Sequence, residues 1–528
     1  MTCQKTYAGR LLLIRKSIND FIRTDNGLLF LIAFVILLIH LVTNALGGYG
    51  IFRDELYYLA CADRPAVGYV DQPPFSIYLL TANRFLLGDS LFALRFLPAV
   101  AGAATVFLTG LVARQYGGGR WAQALAATAS TFSLINMGMD GVYSMNSIDI
   151  LLWTIALWLL GEIVLRGTTR HWLLLGVVLG VALMNKISTL WLGGGIAIGL
   201  LLTSQRHWLR TPWPFVAGGI AVLIFLPYIL WNVVHDFAHL EFIRNATSGK
   251  YSSLNPLSFA MGQLLINNPI TAILWLPGLI GLLFMKALSR FRILGIVYCV
   301  AFAVLIANGH SKAEYLAASY APLYAAGGVL MERWGSTARW RLLRPVYIIL
   351  LIASGLVLAP IVIPILPVQT YISYAKALGI SPETSERKRL DKLPQFYADM
   401  FGWEDKATAV ARVYKGLASE EQARCAIFGE NYGRSAAIDF FGRRYGLPRA
   451  IGDHNNYWIW GPGRYTGEIM IVLGGDINDL RRQFDSVDVA ARVHTEYCMP
   501  YENDLPIYVC RRLKSPLKDL WSQIKHYE

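Results

Sequence analysis

The chain is poor in charge. Only 16% of its 528 residues are Asp, Glu, Lys or Arg, while 55% are hydrophobic, and its mean hydropathy is +0.42. A water-soluble protein of this length carries more charge, so the composition points to a polytopic membrane protein. Cysteine is scarce too: six are scattered with no CxxC pair and no Cys/His ligand spacing, which argues against a structural zinc centre. Cys498 and Cys510 lie close together in the tail, and pairing and two free thiols are equally open. No cleavable leader is legible. Lys5, Arg10, Arg15, Lys16 and Arg23 precede an apolar run too long for one, so the reading is a first membrane helix with a cytoplasmic N-terminus. No repeated segment is found, which weakens a transporter built from inverted halves.

Apolar runs are what the chain has in plenty. Segments long enough to cross, or nearly so, centre on 28–46, 90–113, 121–137, 148–165, 172–184, 188–203, 214–234, 269–285, 293–308, 316–332 and 345–366, an expectation of about eleven transmembrane helices. The net charge of +13 fits basic loops at one membrane face and calls for no nucleic acid. Arg114 and Arg120, Arg166 and Arg170, Arg206 and Arg210, Lys286 to Arg292, and Arg333 to Arg344 occupy alternate loops. The positive-inside rule sends these to the cytoplasm and the tail outside.

The tail changes character. After the membrane part, 1–368, residues 369–394 read as a charged linker and 395–528 as a soluble α/β domain on the periplasmic side. Its signals are a helical pattern over 395–423 and a strand in ARCAIFG. A helix Ser435–Tyr445, a strand in GEIMIVLGG, a helix from Ile477 and strands near 488–495 and 506–511 follow. The Gly474-Gly475 pair reads as a turn sooner than as a phosphate loop.

The polar signals collect in the exterior loops. Asp54 and Glu55 follow the first apolar run, then Asp71-Gln72 precedes Pro73-Pro74 among several tyrosines. Carboxylates at the mouth of a membrane chain are expensive to desolvate and suggest chemistry, with an ordinary solvated loop as the plain alternative. An ionised Asp54 could take a proton from an attacking hydroxyl. Lys186, in an exterior turn, either snorkels to headgroups or meets a lipid-linked phosphate. Arg244 offers a guanidinium fork for phosphate. His235 and His239, four apart, make half a metal site without a third ligand. His310, Lys312 and Tyr315 sit at a further exterior helix mouth.

Taken in order, RDELYY (53–58), DQPP (71–74), SMNSIDILLW (144–153), GVALMNKIS (180–188), LEFIRNA (240–246) and SKAEYLAASYAP (311–322) resemble the bacterial membrane glycosyltransferases of family 39. That group shares the GT-C fold with the protein O-mannosyltransferases and lipid A aminoarabinose transferases. The resemblance implies a GT-C-like α-helical membrane fold in a bacterial inner membrane. It also implies a polyprenyl-phosphate-linked sugar donor and a hydroxyl acceptor on a lipid, glycan or protein. It assigns Asp54 as catalytic base with Glu55 beside it, Lys186 as lipid-phosphate ligand and Tyr315 as a pocket residue. Tyr58, Asp71, Gln72, Arg244 and Lys312 are the further substrate-binding candidates. No metal ligand is assigned and no cofactor is certain; whether Glu55 and Asp71 orient the acceptor or hold a divalent cation stays open. Two departures stand out. The aminoarabinose transferases carry an arginine three residues after the catalytic Asp and a Glu-Lys before the prolines, where this chain has Tyr57 and Asp71-Gln72. The alternative function is a transporter or flippase of lipid-linked sugars, holding the same headgroups without breaking a bond.

Overall fold

The structure is a computed structural model that describes residues 24–336 and 341–528. The basic N-terminal segment and part of the 333–344 loop lie outside the described residues. Apolar helices dominate. Six are long and apolar enough to cross a membrane: Asp25–Leu46, Leu91–Gln115, Met145–Arg166, Trp213–Val234, Lys286–Asn308 and Arg344–Val362. A bent pair, Pro256–Ile266 with Pro269–Phe284, adds a seventh if counted as one span. The chain is a multi-pass membrane protein.

Eleven full-length crossings are not confirmed, and the reasons are local. The run 121–137 is interrupted: one helix, Arg120–Thr131, ends before Ser133 and a second, Leu134–Asp140, follows. The runs at 172–184 and 188–203 become helices of 17 and 14 residues, Thr169–Asn185 and Thr189–Leu202. The run 316–332 yields a helix only over Ala321–Trp334. At about 1.5 Å per residue such helices fall short of a 30 Å hydrocarbon layer.

The chain forms two compact units, both discontinuous. The first comprises Arg95–Phe225, Leu254–Ile363, and Leu46 with the described residues before it; the second comprises Gly47–Leu94, Leu226–Ser253 and Pro364–Glu528. This division differs from the boundaries read off the sequence, because Gly47–Leu94 and Leu226–Ser253 belong with the tail. Within the first unit the helices pack through small residues. A Cβ on Gly278 would strike the Leu323 carbonyl, and one on Gly327 would strike the Leu274 carbonyl. Helices Ala272–Phe284 and Ala321–Trp334 thus approach backbone to backbone, the packing that membrane helices use in place of a hydrophobic drive.

Within the second unit a four-stranded sheet forms from β1 (Cys425–Gly429), β2 (Ile469–Leu473), β3 (Phe484–Val493) and β4 (Leu505–Leu513), in the order β1-β2-β4-β3. β1 and β2 are parallel, and the other pairs are antiparallel. Helices Trp403–Lys415, Tyr432–Phe441 and Ile477–Gln483 occupy the places the sequence pattern marks for them. The fold class expected from the sequence holds: a helical membrane protein with a small C-terminal α/β part. Cys498 and Cys510 are both buried free thiols.

Candidate functional site

Asp54 sits in the first turn of helix Arg53–Ala62. The helix starts there because Glu55, its third residue, folds back so that Oε2 accepts the Phe52 N–H at 2.8 Å, one half of a capping box. Glu55 is fully buried. Its Oε2 caps the helix. Asp54 is different, its side chain being 40% exposed. Its Oδ1 accepts the Tyr432 hydroxyl at 2.8 Å and Arg53 Nε at 3.3 Å, and neither bond uses Oδ2.

The partners of Asp54 are themselves fixed. Arg53 donates to the Tyr501 hydroxyl at 2.9 Å and lies 3.5 Å from Asp399 Oδ2 and 3.9 Å from Glu386 Oε1. Burial pushes the Asp399 carboxyl up to about 7, against the pull of Arg53. Burial also raises the Tyr432 hydroxyl well above its ordinary value, so the donor to Asp54 is a neutral phenol. The Tyr432 ring packs on Tyr57 with centroids 5.0 Å apart and edge-on to His454 at 4.8 Å. Lys250 Nζ lies 5.8 Å from the Tyr432 centroid and 3.9 Å from Glu386 Oε1. Burial holds His454 well below the usual imidazole range, and the neighbouring charges of His526, Lys250 and Arg53 act in the same direction.

Asp71 faces the same helix. Its Oδ1 accepts the Tyr57 hydroxyl at 3.0 Å, and that hydroxyl in turn accepts the Asn456 N–H at 3.3 Å. Tyr57, which stands where the aminoarabinose pattern has an arginine, is therefore bonded to Asp71, which stands where that pattern has an acid. Burial pushes Asp71 up to about 6, with the Tyr57 hydrogen bond opposing. Gln72 is fully buried, and neither its amide oxygen nor its amide nitrogen finds a partner. Tyr58 is buried in the same helix. Arg244 is exposed at the end of helix Ala238–Asn245. His235 and His239 each spend Nδ1 on a carbonyl, Trp231 at 2.8 Å and Val70 at 2.9 Å. Among the described residues no three His, Cys, Asp or Glu side chains come together to hold a metal.

Lys186, Lys312 and Tyr315 belong to the other unit. Helix Thr169–Asn185 stops because Lys186 turns extended. Lys186 Nζ donates to Asn146 Oδ1 at 2.7 Å, lies 3.7 Å from Asp149 Oδ2 and sits 5.1 Å above the Tyr315 ring. Ser188 Oγ completes the cluster at 3.1 Å from Asp149. Lys312 precedes the short 3-10 helix Ala313–Ser319, and its carbonyl accepts the Tyr315 N–H at 3.2 Å. The structure thus brings Lys186 and Tyr315 together. It groups Asp54, Glu55, Tyr58, Asp71, Gln72 and Arg244 in the unit that holds the tail.

Sequence reasoning missed Arg53, Tyr432, Lys250, Glu386, Asp399, Asn146 and Asp149 as neighbours of these groups. Asn146 and Asp149 carried a signal, being polar residues three apart at the start of an apolar helix. Tyr432, 378 residues from Asp54, carried none.

Comparison with known proteins bears on the fold and the family. Residues 71–231 match the family described as dolichyl-phosphate-mannose-protein mannosyltransferase. The chain is 26% identical over 234 residues to the lipid A galacturonosyltransferase RgtD of Rhizobium johnstonii, covering 42% of this chain and 48% of that protein. It is 28% identical over 171 residues to an undecaprenyl phosphate-alpha-4-amino-4-deoxy-L-arabinose arabinosyl transferase of Pseudomonas fluorescens, covering 31% and 30%. The matches thus span half or less of these relatives. The structure of ArnT from Cupriavidus metallidurans in the apo state superposes with a TM-score of 0.62 at 13% identity, covering 92% of this chain and 98% of that one. The same protein bound to undecaprenyl phosphate gives 0.60. The fold is shared with ArnT, and the chain is similar to GT-C glycosyltransferases of family 39.

Proposed function

We propose that this chain, with its GT-C fold, is an integral membrane glycosyltransferase that moves a sugar from a polyprenyl-phosphate donor to a hydroxyl acceptor. The acceptor is carried on a cell-envelope lipid, glycan or protein. One observation carries the reading: the half-exposed Asp54 carboxylate, anchored at Oδ1 by the Tyr432 hydroxyl and Arg53. A carboxylate oriented through one oxygen presents the other to a substrate. In the transfer, Asp54 removes the proton of the acceptor hydroxyl as its oxygen attacks the anomeric carbon. The bond from that carbon to the lipid phosphate breaks, and the phosphate leaves with the electron pair. By the family resemblance, Lys186 is the ligand of the lipid phosphate, a pre-organised positive charge. Tyr315 is assigned to the substrate pocket by the family resemblance, and Arg244, through its guanidinium fork, and Lys312 are the further substrate-binding candidates. Glu55 caps its helix, and a divalent cation has no three-ligand cluster to occupy among the described residues.

Tyr57 and Gln72 set the reading apart from aminoarabinose transfer to lipid A. Where those enzymes carry an arginine and a lysine, this chain has a phenol and a neutral amide, so their donor sugar and acceptor are not carried over to it. The chain lies in a bacterial inner membrane with its N-terminus cytoplasmic and its tail periplasmic, and reporter fusions at Ile18 and Glu528 should report opposite compartments. Transport of lipid-linked sugars is not favoured, since the relatives are named as transferases.

Asp54→Asn tests the mechanism. Asparagine keeps the shape and can still accept the Tyr432 bond but takes no proton at neutral pH. Transfer should fall by roughly 10²–10⁴-fold, with donor binding near normal, while Glu55→Gln should cost less per folded molecule. Full activity in Asp54→Asn, with loss in Glu55→Gln, would reassign the base. Normal transfer by both would remove this mechanism.

A further inference from the structure

A cavity lies in the α/β part. Ala426 and Phe428 of β1 share one sheet face with Met470 and Val472 of β2, packed with Phe484, Leu517 and Trp521. On the opposite face, a Cβ at Gly429 would run into Ser435 of helix Tyr432–Phe441. The helix after β2, Ile477–Gln483, returns to the first face through Ile477 and Leu480. The helices that follow these two parallel strands therefore leave to opposite faces. Such a point opens a crevice outside the carboxyl ends of the strands, where α/β sheets hold their ligands.

The crevice is present as a cavity of about 220 Å³. Phe428, Met470 and Val472 form its sheet wall, and Leu480, Leu517 and Leu520 its helical wall. Four carboxylates complete the lining: Glu430, Asp453, Asp476 and Asp479. Three of them are spoken for. Glu430 bonds Arg434 at 2.7 Å, Asp476 caps the following helix at Asn478 N–H at 2.7 Å, and Asp479 pairs with Arg482. Asp453, half-buried, keeps an Oδ1 that is shut from solvent and accepts no hydrogen bond, although the charge of His526 reaches the carboxyl. An oxygen so placed calls for a donor from outside the chain. Burial also pushes this carboxyl up to about 7.

The sign of the ligand follows from the same lining. A phosphate is refused, because the helix start that Gly474-Gly475 leads into already holds Asp476 and the walls carry only acidic charge. We propose that this cavity binds a small organic cation, an ammonium or guanidinium on an apolar body about the size of one aromatic ring, with its charged head on Asp453. Cavities of about 150 Å³ take a benzene ring, so the volume leaves room for a short aminoalkyl arm. Apolar walls with one or a few convergent polar groups are the usual build of such sites. This site does not depend on the glycosyltransferase reading.

The test uses the full chain in nanodiscs of neutral lipid, with empty nanodiscs subtracted, titrated calorimetrically at pH 8. Three probes share one ring: phenethylammonium, 2-phenylethanol and phenylacetate. The expected result is saturable one-to-one binding of phenethylammonium, weaker binding of the alcohol and none of the acid. Asp453→Asn should weaken the ammonium roughly tenfold or more while leaving the alcohol unchanged. Leu480→Trp, which fills the cavity, should abolish both. Phenylacetate binding as tightly as the ammonium would overturn the proposal, as would no saturable ammonium binding at all. So would an unaltered ammonium affinity in folded Asp453→Asn. Should that variant not fold, the order of the three probes and the Leu480→Trp result decide the matter.

Discussion

Burial makes the ionised form of Asp71 costly, and this can be read as stability. Its carboxyl moves from 3.8 to about 6, chiefly by burial. At 1.36 kcal/mol for each pH unit, that displacement corresponds to about 3 kcal/mol between the two protonation states. The folded protein binds this proton more tightly than the unfolded chain does. The favourable contribution is therefore complete below pH 3.8 and is lost as pH rises through about 6. Asp71→Asn removes the ionisation while its amide oxygen can still accept the Tyr57 hydroxyl, 3.0 Å away in the present structure. At pH 7.5 the variant should thus be more stable than the natural chain by up to about 3 kcal/mol, the opposing Tyr57 bond being already counted in that displacement. At pH 4 the two should coincide. Apparent unfolding temperatures in detergent, at one fixed scan rate because such unfolding is irreversible, would show the gap opening between pH 4 and pH 7.5. Asp399 and Asp453 titrate near the same range, but they are common to both proteins and cancel in the difference. Equal stability at both pH values, or a variant less stable at pH 7.5, would refute the reasoning. A stabilised variant with weakened transfer would show that the carboxyl is kept for function at a cost in stability.

Two further outcomes follow from the polar clusters. Tyr432→Phe keeps the ring against Tyr57 and His454 but deletes the 2.8 Å bond to Asp54. kcat should fall roughly ten- to a hundredfold, the worth of a hydrogen bond to a charged group, with little change in donor KM; a raised KM at unchanged kcat would make Tyr432 a binding residue instead. Lys186→Met removes the charge between Asn146, Asp149 and Tyr315 while keeping most of the stem volume, and donor use should weaken by roughly ten- to a hundredfold. Unchanged donor saturation would leave Lys186 a structural partner of Asp149.

The sequence pattern made some of this legible for physical reasons. The tail's strands announce themselves because Cys425–Gly429 and Ile469–Leu473 are short apolar runs closed by turn residues. Asp54 stood out because it is the first acid after a long apolar helix. Glu55 could have been separated from it, since an acid three residues past a helix start is where a capping carboxylate belongs. The expectation of eleven crossings rests on hydropathy, which does not distinguish a helix bathed in lipid from one buried among other helices. Arg120–Thr131 is buried along almost its whole length and is apolar on account of its neighbours, whereas Thr169–Asn185 exposes Leu173, Leu174 and Val177. The Tyr432 contact was out of reach, since no local periodicity links a tail residue to the loop after the first helix.

That long-range pairing also decides what the tail should do alone. The sheet core is local: Ala426, Met470, Val472, Phe484, Tyr508, Cys510, Leu517 and Trp521 all lie within 395–528. The helices Trp403–Lys415 and Tyr432–Phe441 are local as well. A fragment 395–528 should therefore fold cooperatively. Yet helix Tyr432–Phe441 presents Tyr432 to Tyr57, and Asp439 accepts Arg64 at 3.2 Å; Asp399 likewise answers Arg53. Cutting away Gly47–Leu94 strips two cations and an aromatic cover from that side, leaving an apolar patch with uncompensated carboxylates at its edge. The fragment should unfold in one transition, at a lower temperature than the same region in the whole protein, and should self-associate as concentration rises. A synthetic peptide spanning residues 50–70 should reduce that association and raise the transition. A fragment without any cooperative transition would mean that the sheet core is not self-sufficient. A fragment that is monomeric and indifferent to the peptide would mean that the loop contacts contribute little to holding Asp54 in place.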